Sequence, residues 1–536
     1  MRNIGFKIIL GLLPLFFFSG IVKGQNSDSL SYSVELATSL GTEGYLPHYL
    51  AANRWGVWDE SENSVLMLGG ISYEKKFGDW TWTVAGSFVS HTGNENPYRE
   101  ASASFFPHEY FTDLRYKQLY VFVGAKAESI GFYAPNLSTG SLGMSNNARP
   151  IPKIMMGMDY VSIPFTKDYI QFKGHIGNGW LEEDRHVSRA MIHEKSFFVK
   201  LGEPLPVSME FGLVHLAQWG GDSESKGELP SDFSAFKDVF LGRSNSNFDP
   251  NLANEVNALG NHMGNIDFSL LYKHEDFTLR FYAQKMFEDN SGKKFGWEGG
   301  LSQMFLKNNK DGLFGLHFEK KGRGVIREFL VEYVKTDWQS GPGMTDPPKT
   351  IDPVTGQPIY EEDPGGEKYN QGYPYGGRDN YYNNSIYLEG WSYYGRSMGN
   401  PILLTRNRFL DMGASKKDAV GSYFVNNRVK TLHIGVLGDI KDNWTYKVKM
   451  TVSKNYGNYY GKYGQSWEKQ NEPYYFYGGL SQNYSLLETN YIFLFEKRLS
   501  LNSALAVDWG KLSNNVGFML GLKWSAGVPV KTKVGK

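Results

Sequence analysis

Apolar and polar residues alternate with a period of two over many stretches of this chain. Trp80, Trp82, Val84 and Phe88 alternate with Thr81, Thr83, Ala85 and Ser87, and Phe277, Leu279, Phe281 and Ala283 with Thr278, Arg280, Tyr282 and Gln284. Trp444, Tyr446, Val448, Met450 and Val452 face away from Thr445, Lys447, Lys449, Thr451 and Ser453. Late in the chain Leu499, Leu501, Leu505, Val507 and Trp509 do the same against Ser500, Asn502 and Asp508. Successive side chains of a strand point to opposite faces, so each stretch predicts a strand with one apolar and one polar side.

Alternation alone does not separate a soluble sandwich, apolar inward, from a lipid-facing barrel, apolar outward. Three features favour the barrel. The strands run for about 10 residues, the length a tilted strand needs to cross a bilayer. Trp80, Trp444, Trp509 and Trp524 fall near strand ends, where an interfacial girdle sits. Connections also alternate: short turns at Lys76–Asp79, His274–Asp276 and Asp439–Asn443, long polar segments from His91 to Asp113 and from Thr336 to about Val429. Short turns on one side and long loops on the other mark an outer-membrane barrel.

One segment breaks the period. Phe233, Phe236, Phe240 and Leu241 recur at helical spacing, with Ser231 placed to cap the start and Gly242 beyond the end. Leu252, Val256 and Leu259 repeat the pattern before Gly260. This predicts a helical insert near 231–260, closing one end of the barrel or lying beside it, with a surface loop of two helical turns as the alternative. Residues 341–378 read as a long irregular loop; Asp352, Glu361, Glu362 and Asp363 do not have EF-hand spacing and read as solvated acids.

Composition then narrows the function. Lys plus Arg and Asp plus Glu both number 56, so no basic excess points to nucleic acid. There is no cysteine, which excludes disulfides and thiol chemistry. Residues 1–24, with Arg2 and Lys7 before an apolar run at 8–21, read as a secretory signal rather than a membrane anchor, since the run falls short of a span. Residues 25–536 then form one barrel domain. The chain ends Val534-Gly535-Lys536 rather than on the aromatic residue that barrel-insertion machinery commonly recognises, so the last strand either runs to Lys533 or stops near Trp524.

Enzymatic motifs are missing. His193-Glu194 opens an HExxH pattern, but Phe197 stands where the second histidine belongs. Glu182-Glu183-Asp184 could in principle pair carboxylates for glycoside cleavage, but adjacent acids on a loop read better as charged surface. No catalytic residue, metal or cofactor is assigned.

The stretches LSTGSLGMSNNARPIPKI, from Leu137 to Ile154, and YYNNSIYLEGWSYYGRSMGNP, from Tyr381 to Pro401, fit neither a helix nor a plain strand. Together they resemble the signatures of the Wzi-type capsule assembly family, helped by Lys454-Asn455-Tyr456-Gly457 and Tyr459-Tyr460-Gly461. The resemblance implies a monomeric, closed, all-β antiparallel barrel of about 18 strands in the cell outer membrane, its lumen occluded. It also implies a surface lectin that binds capsular polysaccharide or exopolysaccharide and helps attach or assemble it. A porin or transport channel is the alternative. Aromatic rings stack on sugar faces, and an Arg fork bonds a uronate carboxylate through two parallel bonds. Trp391, Tyr394, Arg396, Arg378, Tyr381, Arg149 and Asn147 are therefore the candidate ligand residues. The competing reading makes the aromatics a girdle with packed turns, and Asn147 and Arg149 ties between a plug and the wall.

Overall fold

The computed structural model describes residues 27–60, 63–92, 105–244, 258–288, 310–339, 350–351, 353–354, 358–359, 379–419, 422–459, 475–495 and 498–530. The expected signal at 1–24, Arg378, the acidic residues 352 and 361–363, the second helical pattern at Leu252 and Val256, and the chain end after Val530 lie outside them.

Eighteen antiparallel strands form one sheet. In chain order they are β1 Ser27–Gly41, β2 Ser64–Phe77, β3 Trp80–Thr92, β4 Phe105–Tyr116, β5 Leu119–Ala125 and β6 Pro152–Ser162. Next come β7 Ile170–Trp180, β8 Met191–Leu201, β9 Val207–Trp219, β10 Asn261–Lys273, β11 Phe277–Phe287 and β12 Gly312–Lys320. The ring is completed by β13 Glu328–Lys335, β14 Val429–Lys441, β15 Trp444–Asn455, β16 Leu480–Ile492, β17 Leu499–Gly510 and β18 Asn515–Val530. Each strand pairs with its chain neighbours, and β18 pairs with β1 from Asp28↔Val530 to Gly41↔Gly517, closing the barrel. Closure leaves no sheet edge exposed, which a membrane-spanning sheet requires. The last strand thus runs past Trp524 to Val530, with Pro529 opposite Ser29 in the closing pair.

The two ends differ. Turns as tight as Gly78–Asp79, Lys117–Gln118 and Asp442–Asn443 join strands at one end, which also holds Ser27 and Val530. The last of these is tighter than expected because β14 runs on to Lys441 through a register shift after Asp439. Most connections at the other end are long: 42–63, 126–151, 220–260 and 336–428. Trp80 marks the short-turn rim, its ring 6.4 Å from Phe77 and 4.8 Å from Tyr116.

The wall is apolar outside and polar inside. Val34 and Leu36 of β1, Val121 and Val123 of β5, Met450 and Val452 of β15 and Phe518, Leu520 and Leu522 of β18 are exposed. Between them in sequence, Asp267, Gln284, Glu332, His433, Lys449 and Thr451 are buried and face the lumen. The packed core lies within the ring. Leu46, Tyr49, Leu50, Leu137, Leu142 and Trp391 from the long loops meet Tyr282, Leu330, Val334 and Leu486 of the wall.

Among the described residues, three short helices belong to the long-loop end. Helix α1, His48–Ala51, lies in the first loop, and α3, Arg406–Asp411, in the loop before β14. Helix α2, Phe233–Leu241, is the expected insert. Its N-cap is Asp232 rather than Ser231: the Asp232 carboxylate accepts from Ala235 N at 2.8 Å. Gly242 ends it in a left-handed conformation at φ 62°.

Candidate functional site: the plug and the loop-side platform

Loop 126–151 leaves the wall between β5 and β6 and reaches the far side of the ring. Phe132 N donates to Asp267 of β10 at 3.0 Å and Leu142 N to Gln284 of β11 at 3.0 Å. Glu332 of β13 accepts from Ser138 Oγ at 2.7 Å, from Thr139 N at 2.8 Å and from Thr139 Oγ1 at 2.6 Å, as well as from the Tyr282 hydroxyl at 2.7 Å. His433 Nε2 of β14 lies 2.7 Å from Leu137 O, and Lys449 Nζ of β15 donates to Ser138 O at 3.1 Å. A backbone without regular secondary structure is tolerated inside a barrel when side chains satisfy its polar groups, and these inward residues do so.

The first loop fills the neighbouring sector. His48 N donates to Asp508 of β17 at 2.8 Å, Tyr49 Oη contacts His433 Nδ1 at 3.2 Å, and Arg54 pairs with Glu488 of β16. The His48 ring is buried 4.5 Å from the Tyr484 ring. Burial, with Arg408 adding to it, pushes its pKa down to about 3, so the plug holds a neutral imidazole.

The two glycine-rich sequence signatures meet face to face over the plug. Trp391 is 1% exposed and its Nε1 donates to Gly143 O at 2.7 Å. The Tyr382 hydroxyl donates to Leu142 O, Ser145 Oγ to Gly399 O at 2.6 Å, and Asn400 Nδ2 to Gly140 O at 2.7 Å. Only glycine fits at 399, because a Cβ there would stand 2.2 Å from Tyr382 Oη and 2.5 Å from Leu142 O.

Four of the expected ligand residues are consumed in this seam. Trp391 and Tyr381 are buried. Arg396 donates to Ala51 O at 3.2 Å and to Trp58 O. Asn147 Nδ2 donates to Ser397 O at 2.9 Å while its Oδ1 accepts from Asn53 N at 3.2 Å. All four side chains are buried, and Trp391, Arg396 and Asn147 are bonded to partners within the protein.

Arg149 and Tyr394 stand differently. Ser392–Tyr393 and Arg396–Ser397 pair as a two-residue ladder, and the tip between them is Tyr394 at φ 47° and Gly395 at φ 74°. Such a tip suits a tight hairpin, but a non-glycine residue with positive φ is uncommon. The tip is held by Glu182, whose Oε1 accepts from Tyr394 N at 2.9 Å and which pairs with Arg185 at 3.1 Å. Burial raises the pKa of Glu182. Tyr394 remains 49% exposed. Beneath it the Arg149 guanidinium lies 4.5 Å from the Tyr394 ring centre and 3.4 Å from that of buried Phe106. Burial lowers the Arg149 pKa to about 10, which still leaves the group charged at neutral pH. The result is a Phe106–Arg149–Tyr394 stack that opens on the loop side.

Other sequence readings resolve structurally. Glu194 faces the lumen, bonded to Lys153 at 2.8 Å and 2.9 Å from His175 Nε2, whereas His193 points out of the barrel, so the pair has no common face for a metal. No group of three or more His, Cys, Asp or Glu side chains suited to a metal occurs among the described residues. The plug seats Glu332, Gln284 and Asp267 went unassigned in the sequence. Their signal was only a polar residue on an alternating strand.

The fold and plug define a closed, loop-filled barrel of the outer-membrane type. Residues 131–341, under half of the chain, match the family model described as capsule assembly protein Wzi. That stretch includes the first signature and bears out the resemblance there; the second signature lies beyond it. Among solved structures, the chain resembles Wzi of Escherichia coli, an outer membrane protein involved in group 1 capsule assembly and described as a carbohydrate-binding β-barrel. The two share 17% identity over 94% of this chain and 85% of that one, with a TM-score of 0.54, which shows a common fold. Acinetobacter baumannii OccAB4 (10% identity, 94% and 98% coverage) and Pseudomonas aeruginosa OpdK with vanillate (9%, 94% and 99%) also align, each at a TM-score of 0.43, too low to define a shared fold. No curated protein matches the sequence.

Proposed function

We propose that this protein is an outer-membrane barrel that binds capsular or related surface polysaccharide on its long-loop face and helps hold or assemble it there. The observation that carries the reading is the Phe106–Arg149–Tyr394 stack, built on a plug packed within the ring. An exposed ring beside a guanidinium offers a sugar a stacking face and a carboxylate a charged partner. Exposed apolar residues around the wall support a lipid setting, and the likeness to the Wzi family supports carbohydrate as ligand.

In this reading residues 1–24 direct export and 25–536 form one monomeric barrel, inserted by the barrel-assembly machinery. On the same reading the protein binds rather than cleaves, with Glu182 beside the platform engaged by Arg185 and by Tyr394 N. Arg378 stays in the proposal as a loop-side contact. The test pairs heat-modifiability on a gel with retention of surface glycan, comparing the parent chain with Tyr394→Ala/Arg149→Gln. Loss of glycan from a folded variant supports the reading; undiminished retention refutes the platform.

A further inference from the structure

Helix α2 lies on the outside of the barrel. Three residues in the middle of their strands show this through the register. Leu213 of β9, 50% exposed, pairs with Phe197 of β8, 55% exposed, and with Ile266 of β10, so all three point outward. Every second residue toward the loops keeps that direction: His215 beside Lys195, then Ala217 beside His193 and His262, then Trp219 beside Met191. Here the apolar outer file turns polar, and His215 Nε2 lies 2.9 Å from His262 Nδ1.

Helix α2 covers that change of character. Ala235 and Val239 are buried against Ala217, Trp219 and Leu259. The Phe236 ring lies 5.4 Å from His193 and 5.7 Å from Trp219, and the Phe240 ring 5.6 Å from His193. Lys195 Nζ sits 4.0 Å from the centre of the Phe240 ring. The side turned away from the wall is not polar as a water-facing helix would be. Phe233 is 81% exposed and Leu241 47%, with exposed Lys237 between them in the same i, i+4 file.

We infer that α2 is an interfacial foot, its Phe233–Leu241 face resting in the outer leaflet where acyl chains give way to headgroups. The occupant follows from continuity. The residues that α2 covers, Lys195, His193, Ala217 and Trp219, follow Phe197 and Leu213 in the same outward files, so the helix adjoins the outward apolar belt. An apolar face with a lysine that reaches outward along it is the pattern of a helix lying in a membrane interface. The inference rests on the membrane-barrel reading above.

The cysteine-free chain allows a direct test. Single variants Phe233→Cys, Leu241→Cys, Leu213→Cys and Lys417→Cys are spin-labelled in the full chain. Each is reconstituted in vesicles of phosphatidylcholine with a minority of phosphatidylglycerol. Collisions with oxygen, which partitions into lipid, are compared with those of a water-soluble nickel chelate. Oxygen should dominate at 233 and 241, as at the belt reference 213, and nickel at the loop reference 417. Nickel-dominated labels at 233 and 241 with a lipid-exposed 213 overturn the foot and leave the barrel intact. Labels at 233 and 241 that collide with neither reagent overturn it too, because protein then covers the helix. A nickel-dominated label at 213 sinks the membrane-barrel reading itself.

Discussion

Glu332→Ala should open the barrel. The Glu332 carboxylate is fully buried and accepts four hydrogen bonds, three of them from the Ser138–Thr139 turn of the plug. A bond to a charged acceptor contributes about 1.5–3 kcal/mol, and bonds sharing one acceptor are not additive. The three plug bonds together should therefore favour the docked loop by roughly 4–6 kcal/mol. At about 1.4 kcal/mol per tenfold, their loss raises the undocked population by on the order of a thousandfold or more. Lys449 and His433, which also hold Leu137 and Ser138, keep part of the seating, so the loop should undock intermittently rather than permanently. Planar-bilayer recording is the assay: the parent should be nearly silent and Glu332→Ala should show frequent openings, with Glu332→Gln between them. A silent Glu332→Ala that retains its heat-modifiable band would refute the claim that Glu332 seats the plug.

Trp391→Ala should destabilise the plug by about 3–5 kcal/mol, the usual cost of truncating a buried large aromatic, and lower the midpoint of heat-modifiability. Gly399→Ala should part the two glycine-rich segments, since its Cβ would meet Leu142 O at 2.5 Å, and limited proteolysis should then cut within 137–154 or 381–401. Acid should loosen the first loop. His48 takes up a proton near 6.5 when released but near 3 when buried, so docking strength is full above about pH 6.5 and falls as pH drops toward 3. The loss is about 2 kcal/mol at pH 5, read as more channel openings, and His48→Gln should flatten that dependence.

The wall was legible in the sequence because its signal is local. Period-two stretches such as Trp444–Ser453 fix which side chains face out, and the alternation of short turns with long segments fixes the two ends. The interior was not, because a stacking ring and a packed ring have the same composition signature. Trp391 and Arg396 have the composition of sugar ligands, and their bonds to Gly143 O and Ala51 O, far away in the chain, have no local signal. Neither could the two signatures be recognised as each other's partner, since the Asn147–Ser397 and Asn400–Gly140 bonds join residues hundreds of positions apart. Helix α2 was readable as a helix from Phe233, Phe236 and Phe240. Its place outside the wall left a subtler trace: His193, His215 and His262 interrupt the outward apolar file where something covers it.

Direct titration of purified, detergent-solubilised protein with the acidic polysaccharide of its own cell surface tests the central claim most closely. The account predicts saturable binding that weakens with added salt, because an Arg149 contact to a carboxylate is screened, and that falls sharply in Tyr394→Ala. Absence of binding by the folded parent protein, or binding indifferent to both salt and Tyr394, would contradict it.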